Sequence, residues 1–557
     1  MDNYFVSSCK RVKDWICRQF GQKEKKTVHH KKFADGGEVI VWETGRAGEE
    51  AASYENLFLR KEIAGFRTNI RREQSCSIKS LTRDYLYKQL LSSGEYTFDQ
   101  MLVIKDPYGE APLTALALFI LEEPACVRVT TKGNLKETDF VTELPKKKEH
   151  RVPILGMYAE KANDIVIEIL DDEGNCVKSH TFTIRTKRLP KSLRNVITVK
   201  KWTDKPAYSN IMINGGVKIH TCVFDIEGEI RYYLSRKPRG YGIFPLSDGH
   251  FFYMEKYISV PSYSNPQTVE SYDMDYFGRV FRTYLTEKGV HHTAEEKAGG
   301  NILTGSNSML EHTEDCVIEI DRQTGEIVWQ LNMAEIFDET YQNMMDWCHV
   351  NSAAYYEKDR TILISLRNVH AVICVDYDTK KLRWILSDPK FWEGTKMTPY
   401  LLQPEGDVKW CYQQHAAFEI ALPDESNPQK KRIIVYDNHW AKRRKAKSFD
   451  KDPLSYVSFY DIDEEKKTVS LHKRFAGPKT RIRANGIYVP DKKRVYNMAG
   501  SYAEPVDGDG GGIFEYDYET GEVLSEFGVK PGFFRAYPFE PNVQELAEPM
   551  QVTGDYQ

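Results

Sequence analysis

The chain has 557 residues, of which 41% are hydrophobic and 12% aromatic, and its 77 Lys and Arg against 81 Asp and Glu give a formal net charge of −4. A nearly neutral chain has no overall field that favours nucleic acid or an anionic membrane, so we expect no nucleic acid and no membrane partner, and instead a small molecule. The length exceeds one ordinary hydrophobic core and predicts several domains, unless one of them is a large all-β unit.

Ten cysteines are scattered along the chain, with no CxxC pair and no cluster. This pattern favours reduced thiols over a disulfide framework. The stretch MDNYFVSSCKRVKDWICRQF lacks the apolar core and the small-residue cleavage site of a signal peptide. The longest apolar run, LTALALFIL at 113–121, is too short to cross a bilayer. We therefore expect a cytoplasmic protein.

Residues 1–98 are predicted to form a partly helical N-terminal extension. VKDWICRQF and TRDYLYKQLLSS (82–93) have helical spacing, whereas the basic run KEKKTVHHKK (23–32) interrupts it and is interpreted as a solvated loop. Aromatic and apolar positions such as Trp15, Tyr87 and Leu91 recur without enough length for an independent core. They predict either a homodimer contact or packing against the rest of the chain.

From about residue 99 to 190 the pattern changes to short alternating segments. CVRVTTKG (126–133) and the two runs on either side of DDEGN (171–175) alternate apolar and polar residues and are bounded by turn residues. Runs of this kind are typical of hairpins. The block 99–190 is predicted to be a small β-sandwich domain with a structural role.

After residue 205 one pattern recurs six times: an apolar residue with an Asp, a short polar turn, then an alternating strand. The copies are FDIEGEIRYYLS (224–235), YDMDYFGRVFRTYL (272–285), IDRQTGEIVWQLN (320–332), VDYDTKKLRWILS (375–387), YDIDEEKKTVSLHKRF (460–475) and YDYETGEVLSEFG (516–528). A single hairpin cannot bury its own face, so a repeat of about 50 residues predicts sheets arranged around an axis. The fold class is therefore all-β, with a six-bladed β-propeller over residues 191–545.

Three histidines occupy one place in this repeat. The strands GHFFYMEK, GNILTGS, RTILISLR, RIIVYDNH and RVYNMAGS are predicted to lie nearest the axis, and His292, His349 and His415 each open the strand before one of them. A lone His at such a place is typical of a structural residue. Three in successive blades indicate a site at the mouth of the channel, where the loops converge.

Two further polar residues point to the chemistry. Asn351 follows His349 by two residues, and Arg367 ends the apolar strand ILISLR. Three imidazoles could hold zinc or iron, but a fixed Arg charge beside a divalent cation is unfavourable, so we expect no metal. A tetrahedral oxyanion fits better, because Arg offers it a planar fork of donors while His and Asn bond its other oxygens. A neutral imidazole can then attack the central atom.

The chain resembles the aryl-sulfate sulfotransferase family, whose members move a sulfuryl group between phenols without a nucleotide sulfate donor. DPYGEAPLTAL (106–116) and VPILGMYAEKAND (152–164) look like its N-terminal β-sandwich. WCHVNSAAYYEKDRTILISLR (347–367) and YQQHAAFEI (412–420) look like its active-site segments. The resemblance implies phenolic sulfate donors, phenol acceptors, no cofactor and ping-pong transfer.

The resemblance also assigns residues. It places His415 at the transiently sulfated histidine, and His349 and Arg367 at sulfuryl-binding positions together with Asn351. His292 matches the other histidine of the mouth, with His291 of the doublet GVHH as a competitor. All but His291 also follow from the alignment of blades.

Two features depart from the family. Where it has a hydroxyl residue in the sixth blade, RIRANGIYV (481–489) offers Asn485 as the nearest polar candidate. Periplasmic relatives carry a disulfide near the nucleophile, whereas EGDVKWCYQQH has only Cys411. The alternatives from other classes are a metal-dependent hydrolase that uses the three histidines, and a non-catalytic interaction scaffold.

Overall fold

The computed structural model describes residues 28–33, 37–52, 76–203, 205–216, 219–236, 241–258, 267–308, 312–342, 344–422, 427–440, 452–503 and 510–540. The protein is all-β with about 10% helix. The predicted helix VKDWICRQF lies outside the described residues. Among those described, no helix is both long enough and apolar enough to span a membrane.

The N-terminal sheet has seven strands in the order β1-β2-β3-β4-β6-β7, with β5 also pairing with β4. They are β1 (Val28–Lys32), β2 (Glu38–Trp42), β3 (Gln100–Lys105), β4 (Ala115–Thr131), β5 (Phe140–Ile154), β6 (Ala162–Leu170) and β7 (Cys176–Arg185). The second half of the basic run read as a loop is therefore a strand. Pairing with β2 explains why residues 28–32 form a strand. β2 (EVIVW) is held in the core by Val39 and Val41, and its free edge pairs with β1.

The helix predicted at 82–93 is found as α1 (Cys76–Ser92), and a second helical segment covers residues 44–52. Leu86, Tyr87 and Leu91 of α1 are buried in one apolar cluster with residues of the later sheets. Asp84 forms buried ion pairs with Arg151 and with Arg279. The described part of the extension therefore packs against the chain itself.

The remaining strands form five sheets in a propeller-like arrangement. The first contains β9 (Asn210–Asn214), β10 (Cys222–Asp225), β11 (Ile230–Tyr233) and β32 (Arg535–Pro538). The second contains β12 (Gly242–Pro245), β13 (His250–Ile258), β14 (Gln267–Asp275), β15 (Val280–Glu296), β16 (Ile302–Ser306), β17 (Cys316–Ile320) and β18 (Ile327–Asn332). The third contains β19 (Val350–Tyr356), β20 (Thr361–Leu366), β21 (Ala371–Asp376) and β22 (Leu382–Leu386).

The fourth sheet contains β23 (Gln403–Pro404), β24 (His415–Ile420), β25 (Lys430–Asp437), β26 (Leu454–Asp463) and β27 (Thr468–Pro478). The fifth contains β8 (Ile197–Lys201), β28 (Asn485–Val489), β29 (Arg494–Ala499), β30 (Gly511–Asp517) and β31 (Val523–Val529). Short 3₁₀ turns are Lys136–Thr138, Lys191–Leu193, Met333–Glu335, Glu339–Tyr341, Arg367–Val369, Pro389–Phe391 and Thr398–Tyr400. Because β32 pairs with β9 and β8 pairs with β31, strands from both ends of this region complete each other's sheets and close the ring.

All six predicted hairpins are present as antiparallel pairs, β10–β11, β14–β15, β17–β18, β21–β22, β26–β27 and β30–β31. The Asp of the repeat explains the turn. A carboxylate oxygen of Asp225 accepts the backbone N–H of residues 227 and 229, and Asp275 does the same for residues 277 and 279. A side chain that satisfies turn amides in this way favours the reversal of the chain.

The strands predicted nearest the axis correspond to β13, β16, β20, β25 and β29, and that prediction is wrong by one strand. β19, β24, β28 and β32 each lie at one edge of a sheet and contact one another in that order. A strand inside a blade is covered on both faces and is therefore the most apolar, whereas the strand at the axis turns one face to the channel. The histidine-bearing strands are themselves the innermost ones.

Candidate active site

A β-bulge lies at or next to each of the three predicted histidines. The pairing register shifts between His291 and Ala294 in β15, between Val350 and Ser352 in β19, and between His415 and Ala417 in β24. The backbone is left-handed close to each shift, with φ of 60° at His292, 58° at His349 and 48° at Ala416. A bulge turns a side chain out of the regular alternation, and a non-glycine residue holds positive φ only where its surroundings enforce it.

His349 is held between two carboxylates. Its Nδ1 lies 2.5 Å from Oε2 of Glu314 and 3.0 Å from both carboxylate oxygens of Asp346. Burial alone would lower the pKa of His349, but the charges of Asp346 and Glu314 raise it to about 9. His349 is therefore an imidazolium at neutral pH, with Nδ1–H donated to Asp346 and with Glu314 in ion-pair contact with the same nitrogen.

His292 has the opposite charge state. Burial holds its pKa well below the usual range, and the neighbouring His349 and His291 add to the effect. The Nε2–H of His291 donates to the carbonyl of Ser306 at 2.8 Å, so the Nδ1 of a neutral His291 accepts a hydrogen bond from Nδ1–H of His292 at 3.1 Å. His292 is therefore neutral and has its lone pair on Nε2. Of the two histidines of the doublet, His292 has its ring 4.7 Å from that of His349, whereas His291 is fully buried.

His415 is a neutral imidazole whose tautomer is fixed by Asn438. The amide nitrogen of Asn438 donates to Oγ1 of Thr480 at 2.9 Å and to the carbonyl of Arg483 at 3.2 Å, so its Oδ1 is the atom that faces His415. Nδ1–H of His415 donates to that oxygen at 2.5 Å. The lone pair is then on Nε2, which accepts the backbone N–H of Arg483 at a long 3.3 Å.

Two arginines place positive charge beside His415. Burial lowers the pKa of His415 well below its usual range, and the charges of Arg367 and Arg535 lower it further. Arg367 follows β20, and its Nη1–H donates to Oδ1 of Asn368 at 3.1 Å. Arg535 opens β32, is buried, and donates to the carbonyl of Asn351 at 2.7 Å. The sequence analysis missed Arg535.

The two predicted asparagines, Asn351 and Asn485, bond backbone atoms of neighbouring segments. The amide nitrogen of Asn351 donates to the carbonyl of Gln414, next to His415, at 2.8 Å. Both ends of the Asn485 amide bond the backbone of Ala536, at 2.8 and 3.1 Å, across β28 and β32. Asn485 thus joins two strands of the ring. Thr480, which precedes this segment, bonds Asn438 through its hydroxyl.

Aromatic rings flank the histidines on one side. The ring of Tyr241 lies 4.3 Å from that of His292, measured between centroids, and the ring of Phe534 lies 6.0 Å from it. Tyr241 and Phe534 are 5.3 Å apart and nearly edge to face. They give His292 aromatic neighbours of the kind that pack against another aromatic ring.

Two groups among the described residues bring possible metal-ligand atoms within 4.8 Å of one another: His291, His292 and Glu314, and Glu314, Asp346 and His349. His415 belongs to neither, so the three predicted histidines are not brought together as one ligand set. In both groups the atoms already bond to one another, His349 with the carboxylates and His292 with His291. The residues of both groups therefore form a network of hydrogen bonds and ion pairs, and we assign no metal to it.

The residues that sequence reasoning missed are Glu314, Asp346, Asn438, Thr480 and Arg535. A signal existed for one of them. Asn438 follows β25 directly, as Arg367 follows β20, so the same alignment of blades that gave Arg367 also points to Asn438. Glu314 and Asp346 come from loops before a strand, and in HTEDC and MMDWC nothing separates them from ordinary acidic loop residues.

Comparison with known proteins gives two matching family models. The model described as Arylsulfotransferase (ASST) matches residues 195–535, and the model described as Arylsulfotransferase Ig-like domain matches residues 102–187. Two curated relatives, both called Arylsulfate sulfotransferase AssT, come from Lelliottia amnigena and Escherichia coli O6:H1 and are 22% and 23% identical to this chain. Each match covers 77% of this chain and 90% of the relative.

A solved structure of a protein of unknown function from Bacteroides caccae aligns with 59% of this chain and 98% of its own, at 11% identity and a TM-score of 0.38. A likeness this weak carries no argument about fold or function.

Proposed function

Because the chain belongs to the arylsulfotransferase family, as its sequence resemblance predicted, we propose that it transfers a sulfuryl group from a phenolic sulfate ester to a phenol in two half-reactions through a sulfated His415. The observation that carries this proposal is the state of His415. It is a buried neutral imidazole with its lone pair on Nε2, beside the charge of Arg367. An enzyme of this kind needs no nucleotide sulfate donor and no cofactor.

His415 is suited to attack sulfur. An imidazole must be neutral to be a nucleophile, and the depressed pKa keeps it so at neutral pH and below. Asn438 holds the tautomer that leaves Nε2 available, and the only described contact of that atom is the long one from Arg483. A sulfuryl group at Nε2 takes the place of a weak hydrogen bond. The N–S bond forms as the S–O bond to the aryl group breaks.

Arg367 is the group proposed to hold the sulfuryl oxygens. Its guanidinium fork fits a tetrahedral oxyanion, and its charge is fixed at any working pH. Transfers of this type go through loose in-line transition states, so positioning and charge stabilisation do most of the work. Asn351 donates to the carbonyl of Gln414, the residue before His415, and Arg535 donates to the carbonyl of Asn351. Both bonds hold the backbone next to the proposed nucleophile in place. Asn485 is not proposed to contact the sulfuryl oxygens, because both ends of its amide bond Ala536.

His349 is proposed as the acid and later the base. As an imidazolium it gives the proton on Nε2 to the departing phenolate oxygen in the first half-reaction. In the second half-reaction the neutral His349 takes the proton of the acceptor phenol, which attacks the sulfated His415, and the enzyme returns to its starting state. His292, with its lone pair on Nε2, accepts a hydrogen bond from a phenol hydroxyl and orients it. Tyr241 and Phe534 pack against the phenol ring.

We also infer six blades. The first half of β15 pairs with β14 and its second half with β16, so the seven-stranded sheet divides into two four-stranded blades that share this strand. With the four other sheets of the ring this makes six.

The domain boundaries at 99–190 and 191–545, the cytoplasmic location and the homodimer stay predictions. The cytoplasmic location is supported by buried cysteines that are free thiols, as expected in a reducing compartment. They are Cys222, Cys316, Cys348, Cys374 and Cys411.

A transfer assay tests the function. Purified protein is mixed with 4-nitrophenyl sulfate and phenol, without any nucleotide sulfate, and formation of phenyl sulfate is followed with initial rates at several concentrations of each substrate. We expect phenyl sulfate and parallel double-reciprocal lines. Release of inorganic sulfate with no phenyl sulfate, together with stoichiometric zinc or iron in the protein, would instead favour the metal-dependent hydrolase. No reaction at all would favour the scaffold.

A further inference from the structure

Glu314 is a buried carboxylate that no predicted role uses. It precedes β17, is fully buried, and has a left-handed backbone with φ of 56°. Its backbone N–H donates to Oδ1 of Asn307 at 2.8 Å, and its carbonyl accepts the N–H of Val350 at 2.7 Å. Since Val350 directly follows His349, these bonds tie residue 314 to the start of the strand that carries the histidine.

The carboxylate of Glu314 reaches both histidines of the mouth. One oxygen, Oε2, lies 2.5 Å from Nδ1 of His349, and the other, Oε1, accepts the hydroxyl of Tyr241 at 3.2 Å and lies 3.8 Å from Nδ1 of His292. A buried carboxylate is very unfavourable unless a cation compensates it. The geometry supplies one cation in direct contact, the His349 imidazolium. Without that imidazolium the buried carboxylate would lose its contacting cation.

We propose that Glu314 is a positioning residue that, with Asp346, keeps His349 protonated and turned so that its Nε2–H meets the departing phenolic oxygen, and that it thereby allows the protein to use sulfate esters of weakly acidic phenols. This inference rests on the proposed function and adds a substrate class to it. Both carboxylates occupy Nδ1 of His349, so Nε2 is the nitrogen left to give a proton.

The link to substrate class follows from the leaving group. A phenolate of an acidic phenol, such as 4-nitrophenolate, leaves without a proton, whereas phenolate itself is a strong base that needs one as the S–O bond breaks. General acid catalysis contributes about 10²- to 10⁴-fold where it is needed. A protein that holds an imidazolium at this position is therefore adapted to the basic leaving groups, and the proton that leaves His349 returns from the acceptor phenol.

Other charged groups surround the pair and act on the same equilibrium. The groups that act directly on Glu314 or His349 are Asp346, His291, His292, His415 and Tyr241. Asp315 acts on His291, and Arg367 acts on His415. Burial would raise the pKa of Glu314, but His349 and His292 hold it well below its usual range. Of the two carboxylates that favour a proton on His349, Asp346 contributes more to its raised pKa and Glu314 contributes second. Glu314 makes the shorter contact, at 2.5 Å, so its substitution removes a direct ion-pair partner of the imidazolium.

The experiment compares Glu314→Gln with the wild type on 4-nitrophenyl sulfate and on phenyl sulfate, with one common acceptor. We measure kcat/KM for the donor, which reports only the first half-reaction in ping-pong kinetics. The variant should lose about 10²-fold or more on phenyl sulfate and less than about 10-fold on 4-nitrophenyl sulfate. Its alkaline limb should also move to lower pH, because loss of the carboxylate lowers the pKa of His349. Equal losses on both esters with an unmoved limb would overturn the proposal.

Controls separate this effect from damage to the fold and from failure of the function itself. Glu319→Gln changes a buried glutamate of the neighbouring strand β17 that pairs with Lys297, and it should leave the ratio of the two donors unchanged. If Glu314→Gln does not fold, Asp346→Asn is compared on the same two donors. Asp346 contacts the same Nδ1 of His349 from a partly exposed loop, so its loss should change the ratio of the two donors in the same direction. A wild type that transfers from neither ester would refute the proposed function, whereas an active wild type with no selective loss refutes only the role of Glu314.

Discussion

Asn438 holds His415 through a single short hydrogen bond, Nδ1–H to Oδ1 at 2.5 Å, and its own orientation is fixed by Thr480 and the carbonyl of Arg483. The two residues are 23 positions apart: His415 opens β24, and Asn438 directly follows β25, the strand that pairs with β24. The bond leaves Nε2 as the only nitrogen of His415 with a lone pair. The tautomer of the proposed nucleophile is therefore set by the side chain that bonds its other ring nitrogen.

Substitution of Asn438 tests this relationship. Asn438→Ala removes the acceptor, so His415 can adopt the other tautomer, and we expect kcat/KM for the aryl sulfate to fall on the order of 10²-fold, as for other partners that orient an imidazole. Asn438→Asp keeps an acceptor but adds a charge that raises the pKa of His415. It should retain activity at high pH and lose it at neutral pH, and a full pH profile measures this. Unchanged activity in Asn438→Ala would contradict the tautomer argument.

The pH dependence of the wild type follows from the two shifted histidines. The pKa of His415 is lowered, so the nucleophile stays neutral well below the usual range of an imidazole. The pKa of His349 is raised to about 9, so the acid is protonated below that pH and lost above it. We expect kcat/KM for phenyl sulfate to be flat through neutral pH and to fall above about pH 9. An alkaline limb near the ordinary pKa of histidine would show that the carboxylates do not act on His349 as described.

Arg367 is tested by a pair of substitutions. Arg367→Lys keeps the charge but loses the planar fork, and Arg367→Ala loses both. We expect Arg367→Ala to lose about 10²- to 10³-fold in kcat, the usual effect of removing a group that stabilises charge in the transition state, and Arg367→Lys to recover only part of it. Arg360→Ala, in an exposed ion pair with Asp378 on the same sheet, is the control and should retain activity. Full activity of Arg367→Lys would mean that only the charge matters.

Asn485 should matter for stability and not for rate. Its amide bonds the N–H and C=O of Ala536, and both become buried and unsatisfied in Asn485→Ala. We expect a loss of about 1–3 kcal/mol in unfolding free energy, measured as a lower urea midpoint, with kcat/KM within a few fold of the wild type. An unchanged midpoint with a loss of 10²-fold or more in rate would restore Asn485 to the sulfuryl-binding residues.

The sequence predicted those parts of the molecule that repeat along the chain. The six hairpins are read from an Asp and an alternating strand, and the histidines are found because they share one position relative to those strands. The bulges near His292, His349 and His415 leave no mark in the local sequence, because positive φ at His292, His349 and Ala416 depends on neighbours brought in by folding. The innermost strands were misplaced by one, since apolar sequence marks the middle of a blade and not its inner edge.

The supporting groups of the site could not be predicted for a related reason. Arg535 reaches the backbone of Asn351 across 184 positions, because the last described strand closes the ring beside the first sheet. Glu314 meets His349 through a loop of the preceding blade. In both cases the contact arises from closure of the ring, and the residue type alone is typical of ordinary surface or loop positions.

The central claim is that His415 carries the sulfuryl group between the two half-reactions. The most direct measurement mixes the protein with 4-nitrophenyl sulfate and no acceptor, quenches the mixture at alkaline pH, where an N–S bond is best preserved, and maps the peptides by mass spectrometry. We predict a burst of about one 4-nitrophenolate per protein and a sulfuryl adduct on the peptide that contains His415, which disappears when phenol is added before the quench. Transfer to phenol by a His415→Asn variant, or an adduct on another residue, would contradict the account.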